Sequence, residues 1–142
     1  MKRSEVKQFI EAGAEFYAIP FDTGRISEFN SSRSNTYPFI FFETPNVTTD
    51  LINSVQTDNW TIRLHLASKD SPDSKMSQYE ELIDDADYLA QRLVRRYNDV
   101  INDYNLVLIS GISRTPFIKK HADCLTGIVL EFTLTVQNTS CD

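Results

Sequence analysis

Few residues in this chain have types and spacing suited to chemistry. There are two histidines, His65 and His121, and two cysteines, Cys124 and Cys141. His121 and Cys124 form H-x-x-C, which supplies two metal ligands. A structural zinc site takes four, and no second such pair stands elsewhere. The same pair would serve as base and nucleophile only with a third orienting group or an oxyanion loop, and neither is evident. No G-x-S-x-G, P-loop or dinucleotide fingerprint occurs, and four glycines make a phosphate cradle hard to build. The acidic cluster Glu80, Glu81, Asp84, Asp85 and Asp87 lacks the spacing of a calcium loop. These absences point to a protein without catalysis, metal or cofactor.

The remaining polar residues are read as contact surface. Arg25 and Arg33 lie in a Ser-rich loop from Ile26 to Thr36 and its preceding turn. Arg63 and His65 fall on the polar phase of an alternating segment. Glu80, Glu81 and Asp84 open a long helix, whereas Arg114, Lys119 and Lys120 gather positive charge on a connection from Arg114 to Leu125. Opposite patches of this kind would meet in a head-to-tail ring, each subunit offering one to its neighbour's other. The formal net charge of −6 argues against a protein that coats nucleic acid, though it suits one that stands near DNA without gripping it. No apolar run approaches the roughly 20 residues of a membrane span. The polar start MKRSEV is no secretory signal, so both cysteines are expected as free thiols and the four N-x-S/T triplets as chance.

The elements that hold these residues follow from periodicity. From Met76 to Tyr104 apolar residues recur at steps of three and four, the period of one helical face. Flanking apolar residues shift from Leu82 and Leu89 to Val94 and Ile101, which keeps the face aimed one way along a straight helix of roughly 43 Å. Its start is either Ser71 before Pro72 or the Ser77-x-x-Glu80 capping box. A short N-terminal helix carries Val6, Phe9 and Ile10, with Gly13 as its stop. EFYAIPF (15–21) reads as an edge strand, YPFIFFE (37–43) as a strand buried on both faces, and WTIRLHL (60–66) as a half-buried strand with Arg63 and His65 outward. LVLISGI (106–112) reads as another buried strand. Gly127 to Val136 alternates with Ile128, Leu130, Phe132, Leu134 and Val136 inward. Asn46 to Asn59 is polar, and the tail from Gln137 to Asp142 is loose. The order α-β-β-β-α-β-β predicts a single α+β domain over 1–142: a mostly antiparallel sheet packed by one long helix, with a short N-terminal helix.

YPFIFFE, WTIRLHL, the long helix and a hairpin closing on DCLTGIVLEFTLTV, together covering about 37–136, resemble the tail terminator proteins of tailed bacteriophages. The ending NTSCD is similar to tails on structural proteins of phages and prophages of Bacteroides-like hosts. The resemblance implies a virion part without catalysis, a ring of six or twelve copies at the head–tail junction, and a stay in the host cytoplasm during assembly. Its partners would be portal, neck and tail proteins, with genomic DNA passing through the lumen unbound. The long segments Asp22–Thr36 and Arg114–Leu125 depart from that pattern, and neck rings of short-tailed phages would suit the same elements. A small protein- or ligand-binding α+β adaptor of the cell is the alternative.

Overall fold

The computed structural model describes residues 1–24, 38–70, 73–104, 108–120 and 125–138, with positions 119, 120 and 138 described by backbone alone. The element order is α1 (Arg3–Phe16), β1 (Phe21–Gly24), β2 (Phe39–Glu43), β3 (Asn46–Ile52), β4 (Val55–Lys69), α2 (Met76–Val100) with a 3-10 turn Ile101–Tyr104, β5 (Leu108–Lys120) and β6 (Leu125–Asn138). The strands form one six-stranded sheet in the order β1-β2-β4-β6-β5, with β3 also on β4. Among the described residues only the β1–β2 pair is parallel. The α+β architecture with a mostly antiparallel sheet is therefore the observed one.

The pair β4–β6 is the spine. It runs antiparallel from Gln56↔Asn138 to Lys69↔Leu125. Trp60, Ile62, Leu64 and Leu66 on β4 and Ile128, Leu130, Phe132, Leu134 and Val136 on β6 share one face, and all are buried. Both helices lie on that face. α1 brings Val6, Phe9, Ile10 and Ala14; α2 brings Ala86, Ala90, Leu93 and Tyr97. Ile83, Leu89 and Val100 pack at its margin, so the predicted helical stripe and sheet face do meet.

Gly13 sets how closely the helices approach. A Cβ there would stand 2.4 Å from Tyr97 Cε1, so the missing side chain admits the buried Tyr97 ring. That ring packs between Phe9 (5.1 Å between centroids) and Phe132 (5.9 Å), and its hydroxyl donates to the Ile10 carbonyl at 2.8 Å. Gly13 is thus a packing residue and not the helix stop. α1 runs on to Phe16 and closes with Ala18 N–H donating to Glu15 O and Ile19 N–H to Ala14 O, both at 3.0 Å. This is the Schellman arrangement, with Ala18 left-handed at φ 54° in the place glycine usually takes.

Several other expectations are corrected. The first strand is Phe21–Gly24, not 15–21, because α1 and its cap consume the earlier residues. Asn46–Asn59, polar and assigned no element, lies in β3, the start of β4 and the turn between them. β3 and the start of β4 form a hairpin closed by Asn53 and Ser54, both at positive φ (51° and 68°), the geometry of a two-residue hairpin turn. β5 is neither short nor buried. It extends through the supposed connection to Lys120 and is an edge strand with Leu108, Ile112 and Ile118 exposed. Pro116, within that stretch, is tolerated because an edge strand has one side without ladder bonds. The register slips between Ser110 and Ser113, where Gly111 sits at φ 63°. Gln137 and Asn138 belong to β6, not to a loose tail; positions 139–142 lie outside the described residues. α2 starts at neither predicted cap. Its N-cap is Lys75, whose backbone N–H donates to Gln78 Oε1 at 2.9 Å.

Candidate functional site: an arginine–aromatic surface on the long helix

The sequence-predicted contact residues fall on separate parts of the fold. Arg25 and Arg33, with His121, Cys124 and Cys141, lie outside the described residues, so the loop surface and the expectation of free thiols have no structural account here. Lys119 and Lys120 end β5, and their side chains lie outside the described residues. Arg63 and His65 share the sheet face opposite the helices, while Glu80, Glu81 and Asp84 are exposed on α2. The sheet separates these two groups, so they do not form one surface.

Arg63 donates to Glu131 Oε2 through Nε (3.0 Å) and Nη2 (2.8 Å), and Glu43 Oε2 stands 3.7 Å from its Nη1. The Glu131 hydrogen bonds lead in raising the Arg63 pKa beyond its already high value, against partial desolvation. With its side chain 46% exposed, this pair is worth at most about 1 kcal/mol. His65 is not outward and solvated as its place in the alternation suggested. It is 7% exposed, bonded through Nε2 to Glu43 Oε2 at 2.8 Å, with Phe41 and Phe117 rings 6.3 Å away on either side. Phe39, Phe41, Ala67, Phe117 and Leu125 make this end of the second face a small apolar cluster. That burial is why the alternation misplaced His65. Arg114, expected to seek a neighbouring subunit, bonds Asp87 of its own chain at 3.1 Å. Opposite residues of paired strands share a face, and the pairing Arg114↔Leu130 puts Arg114 on the helix side.

The most built surface is the basic second half of α2. Arg92, Arg95 and Arg96 lie on α2 next to the end of α1. The Arg92 guanidinium sits over Tyr17 at 4.7 Å and Tyr88 at 5.6 Å; that of Arg96 sits over Phe16 at 3.9 Å. The Tyr17 hydroxyl donates to the Arg92 carbonyl at 3.2 Å, fixing the two helices at this point. Phe16 and Tyr88 are 57% and 63% exposed. None of the three arginines has a carboxylate within 4 Å among the described residues. Ring stacking holds Arg92 and Arg96 in place without neutralising them, and buried-on-binding Tyr and Arg are what protein interfaces favour. The sequence signal was there: Tyr88 stands on the polar face of the helix, four residues before Arg92. A shallow groove of about 380 Å³ runs along this surface.

Beside it, a cavity of about 500 Å³ opens between Tyr17, Ile19, Pro38, Lys69, Leu82 and Leu89. Among the described residues no three His, Cys, Asp or Glu side chains converge as metal ligands, and no helix is long and apolar enough to cross a membrane. Compared with protein-family models and with curated proteins, the sequence gives no match.

Proposed function

We propose that this chain is a structural subunit that closes into a ring at the head–tail junction of a tailed bacteriophage, joining or terminating the tail. The observation that carries this reading is the pair of open sheet edges. β5 has a partner on one side only among the described residues, and it exposes Leu108, Ile112 and Ile118. On the far side of β4, the β3 hairpin has an outer edge without a partner strand among the described residues and exposes Leu51 and Ile52. Long edges bearing apolar side chains template further strand pairing unless a partner covers them. Joining one edge to the other of the next copy is a heterologous contact, which closes into a ring when the rotation from copy to copy divides a full turn. The sequence resemblance and the acidic balance, which leaves a DNA passage slippery, agree with it.

Mass measurement in solution with negative-stain imaging tests this reading. Six or twelve copies in a closed ring are expected, and Ile112→Glu should open the ring while leaving circular dichroism unchanged. A protein that stays monomeric at high concentration and with tail or portal partners overturns it. The cavity beside Tyr17 favours a second reading, a ligand-binding adaptor, since its size and apolar walls suit a small molecule.

A further inference from the structure

α2 carries on its outer face an acidic half and a basic half, and their order has a symmetry. Glu80 stands eight residues before Tyr88 and Arg96 eight after; Glu81 stands seven before and Arg95 seven after; Asp84 stands four before and Arg92 four after. Both sets face away from the sheet, and none of the six side chains has an ion-pair partner within 4 Å among the described residues. We infer that two copies of this chain pack α2 against α2 antiparallel across a twofold axis at Tyr88.

Antiparallel helices place residues at equal distances before and after the axis opposite one another. Glu81 then faces Arg95 of the second copy and Asp84 faces Arg92, while Glu80 and Arg96, on opposite flanks of the helix, come level across the seam within reach of their long side chains. The twofold repeats each pairing, as an isologous contact must. Asp85 falls opposite Gln91 and Asp99 opposite Ser77, so no like charges are brought level. At the centre the two Tyr88 rings meet, each already beside Arg92. The groove of about 380 Å³ along Phe16, Arg92 and Arg96 receives the acidic turn of the second copy. A parallel pairing would set acid on acid and Arg on Arg. A basic partner would satisfy only the first half of the helix and an acidic one only the second. A second copy satisfies both at once.

This contact does not rest on the ring reading. Alone it makes a dimer; added to a ring of six it joins two rings back to back. The test is a charge exchange in the full chain, read by sedimentation at low and high salt. The wild type should show a twofold association that weakens as salt rises. Glu81→Arg and Arg95→Glu should each weaken it roughly tenfold or more. The two substitutions together should restore it to within a few-fold, because opposite charges would again face each other across the axis, with their signs exchanged. Glu81→Arg with Arg92→Glu should stay weak. Thermal unfolding of each variant separates loss of contact from loss of fold. A second measurement uses a Cys124→Ser, Cys141→Ser background and a short bifunctional maleimide: Tyr88→Cys should cross-link to dimer, whereas Asp99→Cys, whose copies would be roughly 33 Å apart along the axis, should not. An exchange variant no stronger than the single variants, or no cross-link at position 88, overturns the contact. A salt-sensitive dimer without a closed ring sinks the ring reading and keeps this one; a single ring of six without doubling does the reverse.

Discussion

Tyr97 is the side chain on which α1, α2 and the sheet converge, and Tyr97→Phe tests that directly. The ring packing would stay; only the hydroxyl donating to Ile10 O at 2.8 Å is removed. A net loss of about 1 kcal/mol is expected near neutral pH, roughly 3 °C in midpoint for a domain of this length. The pH dependence is more diagnostic. Burial raises the Tyr97 pKa far above its ordinary value of 10.0. A group with a raised folded pKa contributes stability that is complete below its unfolded pKa and is lost as pH rises through the folded one. The wild type should therefore lose about 1.4 kcal/mol for each pH unit above about 10 through this group, whose unfolded form ionises while the folded form cannot. Phe has no such loss. Urea unfolding from pH 7 to 11.5 should show the variant less stable at first, level with the wild type near pH 11, and more stable beyond. A deficit that stays constant through pH 11.5 would mean that Tyr97 ionises in the folded protein, and its ring could not then be buried between the helices and the sheet.

Two further substitutions probe the same core. Gly13→Ala gains about 1 kcal/mol of helix propensity but pushes a methyl into Tyr97, a fully buried ring that cannot swing away, so a net loss of about 1–2 kcal/mol in denaturant unfolding is expected. Any net stabilisation would show that the helices separate cheaply. Leu93→Ala should cost roughly 2–5 kcal/mol, or about 6–15 °C, against less than about 0.5 kcal/mol for the exposed Gln91→Ala; equal midpoints for the two variants would remove α2 from the core.

Periodicity alone determined the parts of this protein in which one face is buried and the other wet. The three-and-four spacing from Met76 to Tyr104 and the strict alternation from Ile128 to Val136 each report a local property, which residues turn the same way; β6 follows its period, and α2 follows its own as far as Val100, after which Ile101–Tyr104 tighten into a 3-10 turn. The tertiary structure decided what lies across from the second phase. His65 reads as a solvent-facing residue, but Phe41 and Phe117 come from strands on either side of it, 24 residues back and 52 ahead, and bury it. β3 has no apolar period because its side chains are exposed; its strand geometry comes from the Asn53–Ser54 turn and from pairing with β4. β5 looks buried by composition and interrupted by Pro116, yet its position at the sheet's edge makes Leu108 exposed and the proline harmless. The charges divide the same way. Their order along α2 is written in the sequence, but Arg114 pairs with Asp87 because the register of β5 on β6 brings it under that helix. Local pattern fixes direction within an element, while burial and pairing depend on contacts between distant elements, which no single element encodes.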